Sequence, residues 1–234
     1  MNTEKMKHKS GCCICGKPLR YEEKGSYRIC AVCGKTYESN AVCEDGHFVC
    51  DSCHASGSAD LLSFLRDCRE PDPIRLFLQA AGLSGVHMHG PEHHILVPCV
   101  LLTAFRNNGG TLAYADAMEE AVKRGRQVPG GFCGFWGVCG AAAGAGIYAS
   151  IVTDSSPLNA EAWGIPMRVT AACLERLAEI GGPRCCKRTG RIAIETAAAF
   201  TEKQFGIFMP LSRESCTFCG GNAECLRERC PYYG

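Results

Sequence analysis

Between Cys12 and Cys53, side chains able to ligate a metal fall in four regular pairs: Cys12 and Cys15, Cys30 and Cys33, Cys43 and His47, Cys50 and Cys53. Three pairs are C-x-x-C and one is C-x3-H, which together make the ligand set of two tetrahedral zinc ions. The hexapeptide pattern C-x-x-C-G-K occurs as "CCICGK" and again as "CAVCGK". Two thiolates so spaced grip one ion, and the glycine that follows accepts the positive φ of a tight knuckle. Residues 1–57 are short of aliphatic side chains, so ions have to replace a core. Zinc supplies about 10–16 kcal/mol of apparent binding energy to modules of this kind. The pairs either fill the two ions in order, as in a zinc ribbon, or interleave as a cross-brace, and the same residues serve both. Cys13 is left over. A closed four-ligand site leaves zinc no position for chemistry, which makes this module structural or recognitional.

Nineteen cysteines in 234 residues approach the density of a secreted disulfide scaffold. Against that stand the paired spacing and the charged start "MNTEKMKHKS", which has no apolar signal core. A reducing, cytoplasmic location is expected. A chain of this length buries roughly 70% of its unfolded surface, so the larger part folds without disulfides. No segment reaches the roughly 20 apolar residues that a membrane span needs. Charge is nearly balanced, with 25 Lys and Arg against 24 Asp and Glu. Residues 1–58 carry eight basic and seven acidic side chains, and zinc-bound thiolates turn the module mildly acidic. Nucleic acid is therefore disfavoured as its partner, and a protein or the main domain is favoured.

The texture changes after residue 57. Amphipathic and apolar stretches at helical spacing follow, including "DPIRLFLQAAG", with Pro73 in its first turn and Gly82 at its end, and "ILVPCVLLTAFRNNGG", a buried helix carrying Pro98. Thr111 is placed to cap "TLAYADAMEEAVKRG". A small-residue helix is expected after "VPGGFCGFWGVCG", and "MRVTAACLERLAEIGG" and "RIAIETAAAFTEKQFG" read as two more, joined by the loop "GGPRCCKRTG". Period-two alternation is scarce, so strands belong to the metal module. The expected fold is mainly α: a zinc-ribbon or cross-brace module at 1–57, a helical domain at 58–215, and a cysteine-rich metal-binding tail at 216–234.

Three stretches of the helical domain carry chemistry. "HMHGPEHH" gathers His87, His89, His93 and His94 around Glu92. Neutral imidazoles beside a carboxylate are suited to binding a metal or to moving protons, and because the spacing fits no zinc signature the acid–base reading is favoured over a catalytic metal. Cys133 and Cys139 lie in a glycine-rich loop, and Cys185 and Cys186 are adjacent among Arg184, Lys187, Arg188 and Arg191. Glycine lets backbone amides reach sulfur, while the basic cluster should favour thiolate and attract an anionic substrate or cofactor. By contrast Cys99 and Cys173 sit among aliphatics, as structural thiols do. In the tail, Cys216, Cys219, Cys225 and Cys230 give C-x2-C-x5-C-x4-C before Pro231, a set suited to a [4Fe–4S] cluster or to zinc.

Taken together, "HMHGPEHH", "PGGFCGFWGVCGA", "GGPRCCKR" and "NAECLRERCP" resemble a cysteine-rich domain-of-unknown-function family of anaerobic bacteria and archaea, over roughly residues 60–234. The resemblance implies a cytoplasmic protein of an anaerobe without naming a reaction. Two functions are then in competition. One is an iron–sulfur enzyme, a sulfurtransferase or oxidoreductase, acting on a small anionic substrate or sulfur donor. In it the cysteines ligate a cluster or carry sulfur, the histidines and Glu92 move protons, and the basic cluster holds the anion. The other is a non-catalytic zinc adaptor that recruits a protein or, less readily, nucleic acid.

Overall fold

The computed structural model describes residues 9–234; the charged segment read above as lacking a signal core lies largely outside the described residues. The module is an antiparallel hairpin of β1 (Leu19–Ile29) and β2 (Thr36–Cys43), with Leu19 opposite Cys43, Ile29 opposite Thr36, and an irregularity between Tyr21 and Ser26. Its knuckles close by backbone hydrogen bonds such as Gly16 N to Cys12 O and Gly34 N to Cys30 O. A single helical turn, α1 (Asp51–His54), leads through a 3-10 turn into the helical domain. Cysteines and ligand loops take up most of the module's buried positions, in keeping with ions doing what a core does elsewhere.

The domain consists of α2 (Ser58–Asp67), α3 (Pro73–Ala81), α4 (Glu92–Asn107), α5 (Tyr114–Gly125), α6 (Gly140–Val152), α7 (Gly164–Ile180) and α8 (Cys186–Phe205). Helix α4 is apolar all round and is buried from Glu92 to Phe105, so its neighbours α2, α3, α5, α6 and α8 wrap it on every side. Cys99 and Cys173 are fully buried in this core, and burial pushes both thiols up to about 12, as inert structural cysteines require. The residues after α8 form an irregular tail with two 3-10 turns, Cys219–Gly221 and Arg227–Arg229. Among the described residues no helix is long and apolar enough to cross a membrane.

Two expectations need correction. Helix α5 begins at Tyr114 with Ala113 in the cap position and no side-chain cap, so Thr111 does not cap it. The stretch "CKRTG" is not loop: α8 starts at Cys186, five residues before Arg191. Its basic residues are buried and engaged. Lys187, 2% exposed, donates to the carbonyls of Ala81 and His87 and lies 4.9 Å from the Phe218 ring centre. Arg188 donates to Gly181 O and Pro183 O, and Arg191 to Glu214 O while it stacks on Tyr232. These cations fasten the turn before α4, the turn before α8 and the tail to one helix.

Asp72 performs a similar task at α3. One carboxylate oxygen accepts from Ile74 N and Arg75 N, capping the helix, and the other accepts from Ser212 N of the tail. Because Asp72 is buried, Asp72→Ala strips three amides of their acceptor. We expect it to lower the unfolding free energy by about 1–2 kcal/mol, measured by urea denaturation, with metal content unchanged.

Candidate functional site

The ligands of the module sort themselves by distance. Cys12, Cys15, Cys43 and His47 form one set whose ligand atoms lie within 4.8 Å of one another, and Cys30, Cys33, Cys50 and Cys53 form a second. The first pair thus joins the third and the second joins the fourth, which is the cross-brace. The sulfurs of Cys15 and Cys43, and those of Cys33 and Cys50, are 3.9 Å apart, close to the edge of about 3.8 Å of a tetrahedron with metal–sulfur bonds of about 2.3 Å. Backbone amides of Ile14, His47 and Cys50 donate to Cys12, Cys43 and Cys30. Burial raises the Cys30 thiol, but the amides of Cys50, Cys33 and Val32 outweigh it and bring it down to about 6. The donor set, its spacing and these amide bonds fit two bound metal ions.

The module does not hang free. Its inner side and the helical domain enclose a cavity of about 490 Å³ whose wall includes Cys13, Tyr21 and His54 from the module. From the domain come His87, His89, His93, His94, Cys133, Cys139, Arg184, Cys185, Cys186 and Arg188. Helices α4, α6 and α8 all begin here, at Pro91, Cys139 and Cys185, so three positive helix ends face the same space. Of the basic cluster, Arg184 and Arg188 reach the wall, whereas Lys187 and Arg191 face the tail instead.

The four histidines differ in their bonds. His94 pairs through Nδ1 with Val128 O at 2.9 Å, and His93 through Nδ1 with Gly90 O at 3.1 Å. Burial holds both below the usual imidazole range, His93 far below it with Lys187 adding to the effect. His89 Nε2 meets Ser10, Asn222 Oδ1 and Glu224, tying the tail to the segment before the first knuckle. Burial, aided by Arg184, lowers it to about 4. Glu92 is not on the wall. It stands behind, 1% exposed, accepting the amide of His87 at 2.7 Å on Oε1 and pairing through Oε2 with His54 Nδ1 at 2.8 Å. Against its burial, His54 and His87 hold this carboxyl well below its usual range.

The expectation that basic neighbours favour thiolate at the vicinal pair fails. Burial dominates, raising Cys185 and pushing Cys186 up to about 12 in spite of Arg184. Cys133 is raised as well. Thiols raised in this way stay protonated until a metal or cluster replaces the proton.

In the tail, Cys216, Cys219, Cys225 and Cys230 line a small hollow against Cys185, Lys187 and Arg191. Amides of Phe218 and Arg227 donate to Cys216 and Cys225. Sequence reasoning missed His54 and left Cys13 unassigned. The one available signal was adjacency, since each directly follows a structural ligand, Cys53 or Cys12.

Fold and site together define a mainly helical protein with a hairpin whose two interleaved clusters can hold metal ions, set over a cavity rich in thiols and imidazoles. The chain belongs to the family of unknown function DUF5714, whose model matches residues 61–233. It matches no curated protein and no solved structure. The matched residues take in the histidine turn, both cysteine loops and the tail, while the cross-brace lies before them.

Two predictions follow from this geometry. Of the two cross-brace ions, Cys12→Ala and Cys43→Ala should each cost the same one, and their combination no second one, whereas Cys12→Ala with Cys30→Ala should cost both, followed by metal analysis. Depletion of a single ion by that last pair contradicts the interleaving. At the floor of the cavity, a β-carbon on Gly140 would lie 2.1 Å from the His94 ring. Gly140→Ala should therefore lower stability by about 1–3 kcal/mol, seen as a fall in the thermal midpoint.

Proposed function

We propose that the protein is a metalloenzyme of the iron–sulfur type that carries out sulfur transfer or a redox step on a small anionic substrate, in the cytoplasm of an anaerobe. The observation that carries this reading is the meeting of Cys133, Cys139, Cys185, Cys186 and four histidines on one cavity, although they come from stretches far apart in the chain. Arg184 and three helix starts favour an anion in that space. The raised thiols of Cys133, Cys185 and Cys186 suit metal or cluster ligation more than free nucleophilic attack. Zinc is our assignment for the two cross-brace ions. For the tail we favour [4Fe–4S], because four thiols surround a hollow and two of them, Cys216 and Cys225, receive amide hydrogen bonds, an arrangement that tunes cluster potentials.

The zinc-adaptor reading keeps one supporting observation. Tyr27, 81% exposed, stands with Ile29 and Val32 on the outer end of the hairpin as an apolar surface that a protein can cover. Purification without oxygen separates the two. The enzyme reading expects brown protein with about four irons and four sulfides per chain, lost in Cys216→Ser and Cys230→Ser while zinc is retained. Colourless protein holding zinc alone overturns that reading and leaves the adaptor.

A further inference from the structure

Two residues outside both closed metal sets share a corner of the cavity with a histidine of the domain. Cys13 follows the ligand Cys12, His54 follows the ligand Cys53, and His87 opens the turn before α4. Their ligand atoms lie within 4.8 Å of one another, and all three side chains line the cavity. We propose that Cys13, His54 and His87 form a third metal site, a three-ligand centre whose fourth position opens into the cavity and accepts water or a soft anionic donor such as a thiolate.

Three independent features favour an ion over a plain hydrogen-bonded cluster. First, Glu92 is arranged as a supporting carboxylate: it fixes one ring nitrogen of His54 at 2.8 Å and the backbone of His87 at 2.7 Å, as carboxylates behind metal-bound imidazoles do. Second, His87 Nδ1 is buried and forms no hydrogen bond, though it lies 3.3 Å from Glu92 Oε1. That nitrogen is engaged by no hydrogen bond and so is open to an ion, with the carboxylate 3.3 Å away adding to the pull on a cation. Third, the charges close. A divalent ion, the Cys13 thiolate and the Glu92 carboxylate sum to zero around two neutral imidazoles, so the ligand set brings no uncompensated charge into the wall.

The surroundings are shaped for this arrangement. A β-carbon on Gly90 would fall 2.2 Å from Glu92 Oε2 and 2.3 Å from His54 Cε1, so only glycine lets the two side chains meet there. One sulfur and two nitrogens select zinc, cobalt or ferrous iron over magnesium or calcium. Three protein ligands and one exchangeable position are the pattern of catalytic rather than structural zinc. The cross-brace ions carry no chemistry of their own, but each holds a chain neighbour of theirs in place as a ligand of the open centre. This inference stands on the three ligand atoms and holds whichever reaction the cavity cysteines perform.

Cobalt(II) loading of the full chain under strict exclusion of oxygen tests it. Added 2-mercaptoethanol should change the visible cobalt spectrum, because the open site takes a fourth ligand while closed four-ligand sites do not. Cys13→Ala and His87→Ala should each lower bound cobalt by one equivalent, the double variant by the same single equivalent, with helix content unchanged. Glu92→Gln should weaken that one equivalent by about 10–100-fold. A cobalt spectrum of the unmodified chain that added thiol leaves unmoved overturns the proposal, even if a variant fails to fold. So does full retention of cobalt in the Cys13→Ala or His87→Ala variant. Neither result touches the iron and sulfide content on which the proposed function turns.

Discussion

The convergence of eight potential metal ligands into two interleaved clusters is the constraint on which the remaining architecture rests. The hairpin has no apolar interior of its own, and its knuckles are held by ligands drawn from both ends of each strand. Interleaving matters here, because the first and third pairs meet at the open end of the hairpin, where Leu19 lies opposite Cys43, while the second and fourth tie its turn to the start of α1. The inner side of the module is thereby presented to the helical domain as a rigid wall. Without it, the histidine turn and the two cysteine loops would face water.

The domain answers with buried charge. Lys187, Arg188 and Arg191 leave the first turns of α8 to reach backbone carbonyls in the α3 end, the turn before α8 and the tail. Such desolvated cations are expensive unless paired, and the carbonyls and aromatic faces they meet satisfy them. The same helix start thus supplies both wall thiols and the fastenings of the neighbouring loops. Rigid placement follows from these bonds and from the apolar cage around α4.

How much of this was legible from residues alone varied with how local the information was. Ligand identity in the module is written in C-x-x-C spacing and is readable, but pairing depends on where the strands carry each knuckle, so ribbon and cross-brace were equal until the register was known. The helical domain was visible as apolar periodicity. The start of α8 was hidden because Cys-Cys-Lys-Arg looks like a solvated turn, and nothing in the string says that carbonyls wait for those cations. Cys13 and His54 were obscured by their own neighbours: standing beside regular ligands, they looked like spacers. The clustering of imidazoles marked out the histidine turn, yet its carboxylate faces away from the cavity, a fact of backbone direction rather than composition.

The placement of the hairpin over the cavity gives maturation an order. The helices enclose a core that apolar packing can assemble alone, whereas the roof is finished only when ions arrive. A newly made chain in a metal-poor cell would own the floor of the chamber and lack its ceiling. Closure of the chamber is in this way linked to metal binding by the two clusters above it.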